Sequence, residues 1–382
     1  MQIESVTLRE IRLPLRAPFR ISSGTVTERR ILLVELRDVD GAVSWSECVA
    51  AERPNYSPET VDTAWMVLSL WLIPALLGKS FAGPAGVHEA LDGAARGYPM
   101  AKAALEMGAW GLEAEIQGVA LAQLLDGTRT SVEVGVSLGI QDSPDRLAEL
   151  ATAAVEAGYR KVKLKIAPGS DLAFVEKVRT VVGPDVPLMV DANAAYRSED
   201  AAHLQSLDTF DLTMIEQPLD RTDLLRHAHL QRRLRTPICL DESIDSVDRA
   251  EDMIALGSGR IVNIKPGRVG GFTASRAIHD RCREAKIPVW CGGMLESGVG
   301  RAYNVALASL PNFTMPGDLS PSARYWTQDI VDPEWTMESD GMVQVPFHRP
   351  GLGVEVDRDR VTALTARERR FALGGAVEER SA

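Results

Sequence analysis

The sequence predicts an α/β fold, a barrel of eight βα units behind an α+β domain, from a change of texture near Ser131 and a steady spacing of apolar runs after it. From Ser131 onward, short runs rich in Val, Ile and Leu each precede a helix-length mixture of polar and apolar residues, the pattern of repeated βα units on a parallel sheet. The runs end at Ser137, Lys165, Asp191, Glu216, Asp241, Lys265, Cys291 and about Pro316, which by subtraction are 28, 26, 25, 25, 24, 26 and 25 residues apart. Each interval holds one strand and one crossover helix. Eight such units close into a barrel, and active sites of barrels lie at the C-terminal strand ends, where these residues stand.

Residues 1–130 read as an α+β capping domain. Met1 to Arg12 alternates like a strand through Ile3, Val6 and Leu8, and Ile31 to Leu36 and Val43 to Cys48 read as two further strands around a Gly41 turn. Helical patterns run from Ser57 to Gly118, with Ser57 expected as N-cap and Pro58 at the first helical position. Ala64 to Leu77 is the most apolar stretch, but it is shorter than the ~20 residues of a membrane span and contains Pro74, so it is expected as a buried helix. Residues 131–326 form the expected catalytic barrel. The segment 327–382, with Pro333, Pro346 and Pro350, lacks the period and is expected to pack back on the capping domain.

A chain of 382 residues fits two domains at about 150 residues each. Its 45% apolar and 25% charged residues are those of a globular protein, and a net charge of −11 disfavours nucleic acid and anionic membrane surfaces. The expected partner is a small molecule. Cys48, Cys239, Cys282 and Cys291 form no CxxC pair and read as free thiols in a reducing cytoplasm; the N-terminus shows no export leader.

Three acids end consecutive barrel strands: Asp191, Glu216 and Asp241. Singly, each reads equally well as a helix cap. In register, three facing carboxylates repel unless a hard cation sits among them, and an all-oxygen set suits Mg²⁺ or Mn²⁺. Lys163 and Lys165 share one face of the second strand and are expected inside the barrel, each disfavouring the other's charge, which would ready Lys165 as a general base. Lys265 ends the sixth strand, across the ring. A carbon next to a carboxylate is too weakly acidic for an unaided amine, so a cation and nearby ammonium groups must stabilise the enediolate as it forms.

These residues, Lys-Leu-Lys at 163–165, the three acids and Lys265, resemble the muconate lactonizing enzyme subgroup of the enolase superfamily. Residues 162–169, 263–271 and 290–298 resemble the o-succinylbenzoate synthase and N-succinylamino acid racemase (N-acylamino acid racemase) family in particular. The resemblance covers nearly the whole chain and implies a modified TIM barrel, (β/α)7β, with the capping domain in front. It implies Mg²⁺, with Mn²⁺ or Co²⁺ as substitutes, on Asp191, Glu216 and Asp241. It implies Lys165 as general base, Lys163 on the substrate carboxylate, and Lys265 as the enediolate-stabilising cation or the opposite acid/base, tuned by Arg268. Ser137, Asn193, Arg268 and Gly292, Gly293 and Met294 are implied substrate-binding positions. Phe19, in a mobile loop from Phe19 to Thr25 made pliable by Ser22, Ser23 and Gly24, and the loop around Tyr56 are implied to cover the substrate's distal end.

The implied activity is o-succinylbenzoate synthase of menaquinone biosynthesis with N-succinylamino acid racemase activity. The alternatives are a dedicated racemase or another cycloisomerase of the muconate-lactonizing type, in a cytoplasmic homo-oligomer, with an octamer as one form. Related dipeptide epimerases carry Asp-x-Asp after the eighth strand, whereas this chain has Asp318, Leu319, Ser320, which disfavours a free α-amino substrate. His227 and His229 are expected at the surface. Gly270, Gly271, Gly292 and Gly293 are expected where backbone approaches substrate. Two other classes are a barrel gripping phosphate with its Gly-Gly loop and a non-enzymatic scaffold; chelator sensitivity weighs against the first and the intact catalytic set against the second.

Overall fold

A computed structural model of the chain describes residues 1–21, 24–375 and 377–381. Strands β1 (Ile3–Ile21) and β2 (Gly24–Asp38) form a long antiparallel ribbon, and β3 (Val43–Cys48) adds to β2. Because alternate residues point to opposite faces, Leu32, Val34 and Leu36 of β2 join the core of the capping domain, while Ile31 and Leu33 join a core continuous with the barrel. One strand thereby fastens the two domains.

Helix α1 (Val61–Val67) starts at Thr60, not at Ser57. The Thr60 hydroxyl accepts from the Thr63 amide at 3.2 Å and the Thr63 hydroxyl accepts from the Thr60 amide at 2.9 Å, a reciprocal cap that Ser57 lacks. Ser57 instead turns the chain by accepting from the Glu59 amide at 3.1 Å. A π turn (Leu68–Leu72) leads into α2 (Ile73–Leu76), and this wide turn accommodates Pro74, which has no amide to donate. The helix is not buried all round: Leu70 and Trp71 are exposed. Helices α3 (Pro84–Ala94) and α4 (Pro99–Gln117) follow, and Gly118 ends α4 in the left-handed region at φ 67°.

Seven parallel strands form the barrel wall in sequence order: Gly135–Leu138, Lys161–Lys165, Leu188–Asp191, Ile215–Glu216, Ile238–Leu240, Ile261–Ile264 and Val289–Cys291. Their register sets Lys165 beside Asp191 and Asp191 beside Glu216. The run expected to end near Pro316 is not a regular strand. Phe313 bridges Val289 and Gly317 bridges Val134, so the segment spans the gap between the seventh and first strands through isolated pairings. Pro316 has no amide for a continuous ladder. Below the strand ends, Met189, Met214, Cys239, Ile261 and Trp290 fill the barrel.

Beyond Thr327 the chain is used at several places. Met342–Gln344 pairs with Ser131–Glu133 beneath the barrel, and Thr365–Ala372 pairs antiparallel with β1, carrying Glu378–Ser381 on its outer edge. Among the described residues no helix is long and apolar enough to cross a membrane. All four cysteines are buried and free.

Candidate active site

Lys161, Lys163 and Lys165 alternate along the second barrel strand and are all buried inside the ring. The Lys165 ammonium lies 2.5 Å from Asp191 Oδ2 and donates to Asn193 Oδ1 at 2.8 Å. Lys163 reaches Glu216 at 3.3 Å and Asp191 at 3.6 Å, and it also pairs with Asp318. Burial alone would lower its pKa, but Asp318, Glu216 and Asp191 together hold it well above the ordinary lysine value. Lys163 is therefore a firm cation.

On the opposite wall, Lys265 follows the sixth strand and lies 2.7 Å from Asp241 Oδ2. Against the opposing effect of its burial, Asp241 and neighbouring groups raise its pKa well above the ordinary value. Arg268 grips Asp241 Oδ1 and donates to the Ile244 and Asn263 carbonyls at 2.8 and 2.6 Å. This buried guanidinium thus acts on Asp241, beneath Lys265, and its bonds run to protein groups. Tyr56 reaches deeper than a lid over a distal group would: its hydroxyl donates to Asp241 Oδ1 at 3.1 Å and accepts from Lys265 at 3.2 Å.

The three acids sit on adjacent strand ends, each drawn onto a cation, and among the described residues no three acid or histidine groups are already converged on one metal position. Their chemistry nevertheless fits a hard divalent cation. Burial, reinforced by the neighbouring Asp191 and Asp241 carboxylates, pushes Glu216 up to about 8, repulsion that a cation among three oxygen donors would relieve.

Ser137 is buried at the first strand end, its hydroxyl without a hydrogen-bond partner among the described residues. Asn193 sits in the left-handed region at φ 42° with its amide on Asp191 Oδ1 at 2.9 Å. Met294 lies at the domain boundary, its amide donating to Glu296 at 2.8 Å. Gly292 and Gly293 are required by neighbouring protein atoms: a Cβ would fall 2.4 Å from Asn263 Oδ1 at Gly292 and 2.9 Å from the Asp318 carbonyl at Gly293. Gly271 likewise makes room for Glu106 of α4. Close protein packing is by itself enough to require glycine at these positions.

Phe19 is in β1, paired with Val26, not in a loop; Ser22 and Ser23 lie outside the described residues. The hairpin end still rests on the barrel mouth, because Arg20 accepts from the Ile140 amide at 2.9 Å and its guanidinium meets Asp142 at 2.9 Å. His229 is exposed, but His227 is buried, accepting from the Leu219 amide at 3.2 Å through Nε2. Its place on the inner side of helix Leu224–Gln231 was hidden by the polar residues around it.

Three site residues escaped the sequence analysis. Asn263 donates to Glu216 Oε1 at 2.7 Å; Gln217 accepts from the Asp241 and Ser243 amides at 3.1 and 3.2 Å; Glu242 accepts from Asn193 at 3.0 Å. The period of two in Asn263 and Lys265, and the adjacency of Gln217 and Glu242 to predicted strand ends, were the available signals.

The comparisons agree with this geometry. Residues 3–126 match the mandelate racemase/muconate lactonizing enzyme N-terminal domain and residues 146–360 the enolase C-terminal domain-like family. The chain is 50% identical over 365 residues to an o-succinylbenzoate synthase of Geobacillus kaustophilus, covering 96% of each chain. It is 49% identical to an N-succinylamino acid racemase of Amycolatopsis, covering 93% of this chain and 95% of that one. A solved enolase-superfamily member from Listeria innocua superposes with a TM-score of 0.93 at 39% identity, covering 97% of this chain and 99% of that one. Enolase-superfamily sites pair a lysine or histidine base with Mg²⁺. With two buried lysines facing each other across three strand-end acids, and both domains matched, this chain belongs to the enolase superfamily, in its mandelate racemase/muconate lactonizing enzyme branch.

Proposed function

We propose that the chain is an o-succinylbenzoate synthase that also racemises N-succinylamino acids. The observation that carries this reading is the placement of Lys165 and Lys265 on opposite walls with Asp191, Glu216 and Asp241 between them; relatives bearing both names support it. Asp191, Glu216 and Asp241 would hold Mg²⁺, which when bound would polarise the substrate carboxylate. Lys163 and Ser137 face that carboxylate, with Asn193 and the Gly292–Met294 backbone alongside. Phe19 covers the site, and Tyr56 reaches into it to Asp241 and Lys265.

In the dehydration of 2-succinyl-6-hydroxy-2,4-cyclohexadiene-1-carboxylate, Lys165 accepts the proton next to the carboxylate. The freed electron pair becomes part of the aromatic ring as the C–O bond breaks, and the departing hydroxide takes that proton back from the Lys165 ammonium and leaves as water, so that one base serves both proton steps of a syn elimination. Lys265 stabilises the negative charge of the intermediate. In racemisation the same lysine instead delivers a proton to the opposite face, which the two-wall arrangement permits. The enzyme works as a cytoplasmic homo-oligomer in this reading.

The test is kcat/KM for the dehydration and for racemisation of N-succinylphenylalanine by Mg²⁺-loaded enzyme, with Lys165→Ala as control. Efficient dehydration lost in the variant supports the synthase. Racemisation alone would make the chain a dedicated racemase, and absence of both reactions would overturn the substrate assignment.

A further inference from the structure

Lys165 is held by two partners of different kinds. One is Asp191, its neighbour in register; the other is the Asn193 side-chain oxygen at 2.8 Å. An ammonium can only donate, so Asn193 must present its oxygen there, and its NH₂ must then find an acceptor on the far side. That acceptor is Glu242 Oε1, 3.0 Å away, on the loop after the fifth strand. A carboxylate can only accept, so the chain Lys165, Asn193, Glu242 has one direction.

The platform for this chain is rigid. Asn193 and Ala194 hold positive φ angles of 42° and 60°, and the Ala194 amide donates to the Gln217 carbonyl at 2.8 Å. The Gln217 side chain in turn accepts the Asp241 and Ser243 amides on either side of Glu242. The loops after the third, fourth and fifth strands are thereby cross-linked, and Glu242 is buried among them with its second oxygen unbonded to described groups. Lys265, across the ring, makes no hydrogen bond to this chain; it is bonded to Asp241 and Tyr56 and feels Glu242 only through its charge.

We propose that Glu242 is a positioning residue that acts through Asn193 to aim Lys165 and has no hydrogen-bonded link by which to aim Lys265. The proposal rests on the two-lysine racemase reading of the site. It makes an asymmetric prediction, because each enantiomer of N-succinylphenylalanine presents its α-proton to one lysine, and exchange of that proton with deuterated solvent reports that lysine separately.

The experiment follows α-proton exchange of each enantiomer by NMR at saturating Mg²⁺, in wild type, Glu242→Ala and Glu242→Gln. Lys165→Ala identifies the enantiomer that faces Lys165. In Glu242→Ala, exchange of that enantiomer is expected to fall by about 10- to 100-fold while the other changes by less than about threefold. Glu242→Gln, whose amide oxygen still accepts from Asn193, should recover most of the loss. Equal loss for both enantiomers, or no loss for the Lys165-facing one, would overturn the positioning role while leaving the racemase reading in place. A wild-type enzyme that exchanges neither enantiomer would overturn both.

Discussion

The carboxylate of Glu47, on the last strand of the capping sheet, accepts from both the backbone amide and the hydroxyl of Ser297, at 3.0 and 2.6 Å. Ser297 begins the helix Gly298–Ala308, so a side chain from one domain caps a helix of the other. Burial is the chief influence on this acid and pushes Glu47 up to about 8. The folded chain therefore keeps a proton that the unfolded chain releases near pH 4.5. Stability should fall as pH rises from about 4.5 to about 8, by up to about 1.4 kcal/mol per pH unit from this group. Glu47→Gln, which mimics the protonated acid, is expected to flatten that slope in urea unfolding midpoints; an unchanged slope would place the proton elsewhere.

Gln217 fixes the loop that carries Asp241 by accepting two of its amides. Gln217→Leu removes the one oxygen that accepts both amides and leaves buried donors unmet. If Asp241 holds the metal, the Mg²⁺ concentration for half-maximal activity should rise by about 10- to 100-fold. Titration of chelator-treated enzyme with Mg²⁺ measures this, and an unchanged midpoint would separate Gln217 from metal binding.

The two lysines should differ in what their loss abolishes. Lys165→Ala is expected to lower both dehydration and racemisation by about 100- to 10,000-fold. Lys265→Ala should stop racemisation but leave Lys165 able to exchange the proton on its own face. Dehydration by Lys265→Ala would be slowed through loss of a charge beside the intermediate. Full racemisation by either variant would exclude the two-base scheme.

His227 accepts the Leu219 amide only as neutral imidazole, and burial lowers its pKa below the ordinary 6.5. The unfolded chain binds the proton more readily, so this contribution is present above about pH 6.5 and is lost as pH falls below it. His227→Gln keeps an acceptor without the titration. Its unfolding midpoint should drop less than that of wild type on acidification from about pH 7 to about pH 5.5; parallel curves would exclude His227 as the source.

Much of this architecture was legible because it follows from period. The 25-residue spacing placed Lys165, Asp191, Glu216, Asp241 and Lys265 at strand ends, and the structure has each of them there or one residue beyond. What escaped depends on contacts distant in sequence. Thr60 outcompetes Ser57 as a cap because of a reciprocal partner, Gly292 is set by Asn263, and His227 is buried by a helix whose neighbours read as polar. Asn263 and Glu242 look like ordinary polar residues until the ring brings them to Glu216 and Asn193.

The pairing of β1 with Thr365–Ala372 also constrains the order in which the protein can be made. A ribosome delivers β1 hundreds of residues before its partner, so the edge of the first sheet stands open during synthesis of the barrel. A strand made hundreds of residues later seals β1, and a nascent chain stalled before residue 365 would present a ready template for pairing with another chain.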